Sequence, residues 1–300
     1  MMKTMNAETA PQHRKKRYTI GDVLIFIVLT LLALVIFTPF YNAVVISLES
    51  NHGYAMHPVS LFPTEFTLNN YAYVIKNGNI LTGYASTVII TVAGTLMSMT
   101  AMIMMAYVFS RKPFPGQRLL FILVMFMMFF SGGMIPTYLQ FKNLGLINSR
   151  WSIILYCGVS TYNLIIMRSS FQQTPVDLED AAKIDGANDI TIFFRVMLPL
   201  QSAIIATFTL FTAVGYWNEW FWSMLLINSA SKMTLQTVLR AIVAESAAYS
   251  DIASGDTDVN VFTAGIKMAA VVMTTLPIMF FYPFLQKYFV KGVMVGAIKM

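Results

Sequence analysis

The chain has 300 residues, of which 57% are hydrophobic and only 11% charged, against roughly one quarter charged in an ordinary soluble domain. With 23 Phe and 22 Met it holds more apolar side chain than a water-facing fold can hide, which argues against a soluble enzyme and for lipid as the solvent. The net charge of +6 then reads as a topology signal flanking apolar spans, not as a nucleic-acid footprint, and the lone Cys157 excludes an intramolecular disulfide.

Crossing a hydrocarbon core takes about 20 apolar helical residues. Six segments meet or approach that length. Val23 to Ile46, Tyr84 to Phe109, Leu119 to Leu139, Trp151 to Met167 and Met268 to Gln286 carry no charge, and Leu200 to Ala230 carries only Glu219. The Trp151 run is the shortest, but Arg150 and Arg168 at its flanks can snorkel to the two interfaces. The first span follows His13-Arg-Lys-Lys-Arg17 and shows no small-residue cleavage site after Phe40, so it reads as a retained helix rather than a signal peptide. Of the 20 Lys and Arg, 14 fall in the N-terminus, the Ser110 to Arg118 loop, the Arg168 to Pro199 loop and the tail after Gln286. The positive-inside rule therefore places both termini in the cytoplasm. The opposite face receives the loop Glu49 to Gly83, the link Gln140 to Arg150 and the loop Ser231 to Lys267, with turn residues at Pro58, Pro63, Gly78 and Gly255 and an acidic cluster from Asp251 to Asp258. The expected organisation is a basic cytoplasmic segment 1–22, a six-helix all-α membrane domain 23–290 and a cytoplasmic tail 291–300.

Several chemistries are missing. No Gly-rich loop ends in Gly-Lys-Ser or Gly-Lys-Thr, so a nucleotide is not held by the P-loop route. His13, His52 and His57 lie outside the spans without a His-Glu-x-x-His pattern, which argues against a metalloprotease and leaves no metal ligand set. A single intramembrane carboxylate, Glu219, disfavours a proton-coupled carrier. The Met-rich stretches Met97 to Met105 and Met125 to Met134 have no His or Cys beside them and read as lipid-facing or packing residues. Arg111, Lys112 and Arg118 read first as orientation charges.

The informative segment is the loop 172–199 between the fourth and fifth runs. Thr174 is placed to cap a helix with Pro175 at its first position, Asp177 and Glu179 suit the positive end of its dipole, and Gly186 supplies a left-handed stop. Asn188 or Asp189 then caps a second helix running to Pro199. Ala181 and Ala182 keep the first helix slim, so a partner's groove could accept it closely. By itself this is equally a polar hairpin that spaces two spans.

The residue pattern carries more. Asp180-Ala-Ala, three residues, Gly186, nine residues and Val196-Met-Leu-Pro199 resembles the Glu-Ala-Ala loop of binding-protein-dependent ABC importer permeases, with Asp180 for the usual Glu and Val196 for the usual Ile. Phe66-Thr-Leu-Asn-Asn-Tyr71, Ser131-Gly-Gly-Met-Ile-Pro-Thr-Tyr138, Asn143-Leu-Gly-Leu-Ile-Asn148, Trp217-Asn-Glu-Trp-Phe-Trp222 and the tail Phe289 to Lys299 extend the resemblance over nearly the whole chain beyond Tyr18. They are similar to the carbohydrate-uptake type 1 branch, the MalG-like permeases, and to its oligosaccharide and polysaccharide subgroup. The resemblance implies a type I importer permease of six helices in a bacterial cell membrane, itself not an enzyme. It implies that Glu179, Asp180, Ala181, Ala182, Asp185, Gly186, Ala187 and Pro199 serve coupling to a separate ATPase. The implied partners are a second homologous permease, a cytoplasmic ABC ATPase dimer that carries ATP and Mg, and an extracellular or periplasmic sugar-binding protein; no cofactor is expected on this chain. A permease of the same fold for another polar solute, or a six-span scaffold or sensor that moves nothing, stays open at this point.

Sugar sites pair aromatic faces with a few orienting polar groups. Trp217, Asn218, Glu219 and Trp220 offer both, with Trp217 and Trp220 sharing a face if the helix continues through them. The competing reading is an interfacial aromatic belt, since Glu219 follows Pro199 by 20 residues, or roughly 30 Å of helix.

Overall fold

The computed structural model describes residues 20–77, 79–111, 113–252 and 263–297. The side chains of residues 77, 245–252 and 281–297 are not described. The basic segment before Ile20, Gly78, Lys112, Gly255, the part of the acidic cluster beyond Ile252, and Lys299 lie outside the described residues.

Apolar runs become helices because only a helix satisfies its own backbone groups in lipid. The first, α1 (Ile20–Ser47), leaves its side chains exposed from Ile20 to Phe40, buries Ala43, Val45, Ile46 and Ser47 at its end, and packs on the long last helix, α15 (Thr263–Ala297). Two short helices follow, α2 (Asn51–Met56) and α3 (Asn69–Asn77), so the first loop is ordered. The buried Glu49 holds it together. Its carboxylate accepts the N–H groups of Thr64 and Glu65 at 2.8 Å each and the Thr64 hydroxyl at 3.0 Å, while Asn70 donates to the carbonyls of Ser47 and Glu49.

The central helix α4 (Ile80–Ser110) packs along α12 (Ser202–Trp217) and α8 (Thr161–Gln172). Gly94 allows the close approach to α12. A Cβ there would lie 2.5 Å from the Tyr216 ring, whose hydroxyl is shared with Ser98 and donates to the Ile154 carbonyl.

Among the described residues three helices, α1, α4 and the Thr263–Phe280 part of α15, are long and apolar enough to cross a membrane, and five segments are if each of two bent pairs counts as one. The uncharged run at 119–139 is not one straight helix. It forms α5 (Gln117–Phe129) and α6 (Met134–Asn143), meeting at 120°, because Gly132 and Gly133 interrupt it and Gly133 sits at φ +82°. The run at 151–167 is likewise broken, into α7 (Arg150–Tyr156) and α8, with a turn over 157–160 containing Gly158. The loop expected from Ser231 to Lys267 contains an 18-residue helix, α14 (Leu235–Ile252), which packs on α15 and α4. Among the described residues there is no β-strand, only an isolated bridge between Glu49 and Phe66. Buried side chains gather in three clusters: Met99, Met102, Phe109, Met167, Phe171 and Phe208 at one end, Ile80, Leu235, Val238 and Ala269 at the other, and Ile90, Ile153, Tyr216, Trp222 and Leu226 between.

Candidate functional site

The hairpin between α8 and α12 is built by local rules. Helix α9 (Asp177–Ile184) opens with Asp177, Glu179 and Asp180 in its first turn and closes with Lys183 in its last, which suits its dipole. Its stop is a Schellman motif. Gly186, at φ +83°, donates to the Lys183 carbonyl at 3.0 Å, and Ala187 donates back to Ala182 at 2.9 Å. Asn188 then caps α10 (Asp189–Ile192) by accepting the Thr191 N–H at 2.8 Å. A π-helical turn, Phe193–Met197, follows and leads into α11 (Leu198–Leu200). Pro199 explains the wide turn: it has no N–H to offer and its ring crowds the carbonyl four residues back, so the register loosens before it. The chain then bends by 79° into α12.

One expected cap is corrected. Thr174 does not open α9, which starts three residues later. Its hydroxyl instead accepts from Gln201 Nε2 at 2.7 Å, and Gln201 Oε1 accepts from Ser170 at 2.6 Å. This buried knot fixes the base of the hairpin, and nothing in a helix-cap pattern pointed to it.

The hairpin has two faces. Ala182, Ala187, Ile192 and Met197 pack against the cluster at this end of the bundle. Asp180, Ala181, Asp185, Gly186 and Pro199 are exposed, and Ile184, Ile190 and Phe194 stand out at 87%, 69% and 57% exposure. On the exposed face, large apolar side chains therefore stand beside acidic groups. Glu179 differs from its neighbours. It is 7% exposed and turned inward, where its Oε1 lies 2.6 Å from Nε of Arg111 just beyond α4. The two atoms are out of line for a hydrogen bond, so the contact is a charge pair. Arg111, read from sequence as an orientation charge, is thus an internal partner of the hairpin; its position at the end of a span, with an inward-facing Glu as the complement, is visible only in three dimensions.

The aromatic run is not one continuous helix. Helix α12 ends at Trp217, and a new short helix, α13 (Phe221–Leu226), starts after Trp220, so Trp217 and Trp220 do not share a helical face. Glu219 Oε1 accepts the Trp222 N–H at 2.7 Å in the first turn of α13, and its backbone carbonyl accepts from Thr234. Trp222 is buried against Tyr156. Trp217 packs against the buried cluster that contains Ile80 and Ala269, and the Trp220 ring is covered by the Arg240 guanidinium, 3.4 Å from its centroid. Asn218 alone of the four candidates has an exposed side chain. A polar knot beside this region was missed from sequence. Asn148, at φ +59°, accepts the N–H groups of Asn228 and Ser229, while Arg150 binds Ser86 and the Ser231 carbonyl. No group of three or more His, Cys, Asp or Glu suited to a metal occurs among the described residues.

A helical bundle with several apolar spans and a short helical hairpin at one end is the architecture of a multi-pass membrane protein. Comparison makes the class specific. No family model matches the chain. It is 40% identical over 297 residues to protein LplC of Bacillus subtilis, covering 98% of this chain and 99% of that one. It is also 40% identical over 282 residues to the polygalacturonan/rhamnogalacturonan transport system permease protein YtcP of the same organism, covering 93% and 98%. Among solved structures, a bacterial ABC transporter involved in the import of the acidic polysaccharide alginate matches with a TM-score of 0.80 at 29% identity, over 92% of this chain and all of the other. The chain belongs to the sugar permeases of ABC transporters.

Proposed function

We propose that the chain is the permease subunit of an ATP-driven, binding-protein-dependent importer of oligosaccharides in a bacterial cell membrane, with acidic oligosaccharides as the first substrates to test. The observation that carries this reading is the α9 to α11 hairpin, a rigidly terminated helix offering Ile184, Ile190 and Phe194 beyond the bundle, in a chain 40% identical to a named permease. The names of two similar proteins, one for polygalacturonan and rhamnogalacturonan and one for alginate, support acidic sugars.

In this reading the chain crosses six times with both termini inside. The broken pairs α5 with α6 and α7 with α8 each make one crossing, as discontinuous helices do where they line a cavity or pack in protein. The hairpin enters a cytoplasmic ATPase dimer through Asp180, Ala181, Asp185 and Gly186, a second permease completes the pathway, and a sugar-binding protein delivers from outside. ATP and Mg belong to the ATPase. Closure of the ATPase pair moves the hairpin and rocks the spans between inward-open and outward-open states. At the aromatic run, the exposed Asn218 is the group best placed to meet sugar, whereas Glu219, Trp217 and Trp220 shape the wall behind it. Uptake of labelled oligogalacturonate into vesicles holding both permeases and the ATPase, with and without ATP and the binding protein, tests the function. Absent uptake, with the assembly intact, would return the chain to the scaffold reading, and ATP-independent uptake would refute an ATP-driven importer.

A further inference from the structure

The hairpin can move the spans only if it is fastened to them, and α9 is an eight-residue helix with most of its surface exposed. Its apolar footing on the bundle is small: Ala182, with Ala187 just past its end, touches the buried cluster. One polar side chain of α9 faces inward, Glu179, and it meets Arg111 at 2.6 Å with both side chains largely buried, 9% and 14% exposed. Arg111 grips more than that helix. Its Nη2 reaches the Met197 sulfur at 3.3 Å, on the arm of the hairpin that returns to the bundle, and its guanidinium lies 5.6 Å from the centre of the Tyr107 ring in α4. Tyr107 in turn packs on Phe171 at the end of α8 and on Phe193 in the π turn. The guanidinium therefore sits between the outgoing and returning arms and ties both to the end of α4.

We infer that Arg111, through its pair with Glu179, is a positioning residue for coupling: it makes α9 and the end of α4 move as one body, so that a push on the hairpin is passed to the span that packs on both α8 and α12. This rests on the reading that α9 receives the push from an ATPase. A buried charge pair suits the task because separating it leaves two uncompensated charges out of water, so it resists stretching more steeply than a contact between small apolar groups.

The test uses the full importer in vesicles and reads sugar taken up per ATP hydrolysed, together with recovery of the ATPase on the purified permeases. Arg111→Met and Glu179→Gln should retain the ATPase yet lower uptake per ATP by tenfold or more, and the exchange Arg111→Glu with Glu179→Arg should recover a substantial part of the ratio. A merely structural pair would lower assembly and leave the ratio unchanged. Where a single variant fails to assemble because one charge is left buried, Arg111→Met with Glu179→Met removes both charges and is read instead. A wild-type ratio in any assembled variant that lacks the pair, no recovery in an assembled exchange variant, or loss of assembly in this double variant too, overturns the inference. Wild-type vesicles without ATP-driven uptake would instead refute the functional reading on which it rests.

Discussion

Gly186 is the position at which a change of a few atoms should disconnect the hairpin without disturbing the bundle. Its φ of +83° lies where residues with a Cβ are strained, and a Cβ built there meets nothing within 4 Å. The cost of substitution is thus purely conformational. It should follow backbone preference rather than side-chain size: about 1–2 kcal/mol for Ala, near the upper end of about 1–3 kcal/mol for β-branched Val, and least for Asn, which tolerates this region. If the residue escapes the strain by leaving the left-handed region, the Gly186-to-Lys183 and Ala187-to-Ala182 bonds go with it, each worth about 1 kcal/mol. Where docking needs the native hairpin, about 2 kcal/mol weakens ATPase binding roughly 30-fold. The assay is retention of the ATPase on purified Gly186→Asn, Gly186→Ala and Gly186→Val permeases, with ATP hydrolysis stimulated by the binding protein. The expected order is wild type, Asn, Ala, Val, with membrane insertion unchanged in all. Gly186→Val that binds the ATPase and transports as wild type would refute the reasoning, and an order that follows side-chain bulk beyond Ala would show that a partner's surface, not backbone strain, sets the cost.

Other consequences are equally direct. Gly94→Ala should lower thermal stability by about 1–3 kcal/mol, the range for overpacking a core, because the added methyl meets the hydrogen-bonded Tyr216 ring; a melting temperature equal to wild type would show that α4 and α12 part freely. Glu219→Gln, which can still accept the Trp222 N–H, should leave uptake near wild type, whereas Glu219→Ala should lose about 1 kcal/mol of stability as a lost cap does; a strong uptake defect in the Gln variant, with its stability unchanged, would give the carboxylate charge a direct role. The first loop should loosen in acid. Burial pushes the Glu49 pKa up, but the N–H groups of Glu65 and Thr64 and the Thr64 hydroxyl outweigh it and leave it below the usual 4.5. A lowered carboxylate pKa gives stability that is whole above the ordinary value and fades as pH falls through the lowered one, so proteolysis within residues 50–65 should accelerate as pH falls below the usual 4.5 and Glu49→Gln should weaken that dependence, leaving the part that Glu65 contributes through Ser50 and His52. In a Cys157→Ser background, cysteines at Val59 and Ile184, both highly exposed, should react with an impermeant reagent from opposite sides of the membrane; labelling of both from one side would overturn the six-crossing topology.

Much of the hairpin was legible because its determinants are local. The left-handed stop at Gly186, the cap at Asn188 and the acidic first turn of α9 each depend on residues a few positions apart, and the structure shows all three. What misled was reading absence of charge as continuity of helix. Hydropathy does not register Gly132 and Gly133, which turn one uncharged run into two helices at 120°, nor the turn at Gly158 that divides the next. The same blindness applied to the aromatic run, where a face was assigned to Trp217 and Trp220 across a helix end.

The harder failures concern polar side chains whose partners are distant in sequence. Arg111 and Glu179 are 68 positions apart, Gln201 and Ser170 are 31, and Asn148 and Ser229 are 81. Spacing along the chain says nothing of such pairs, and each residue alone has an unremarkable explanation as a flanking charge, a helix start or a loop amide. Burial in a bundle removes those explanations. A carboxylate 7% exposed must have its partner nearby, because the cost of an unpaired charge there exceeds what the small apolar footing of α9 contributes. The inward turn of Glu179 therefore reassigns the hairpin's acidic residues. Asp180, one position on, is exposed while Glu179 faces the spans, so in the proposed coupling two adjacent carboxylates on one short helix would divide the work of receiving a displacement and passing it on.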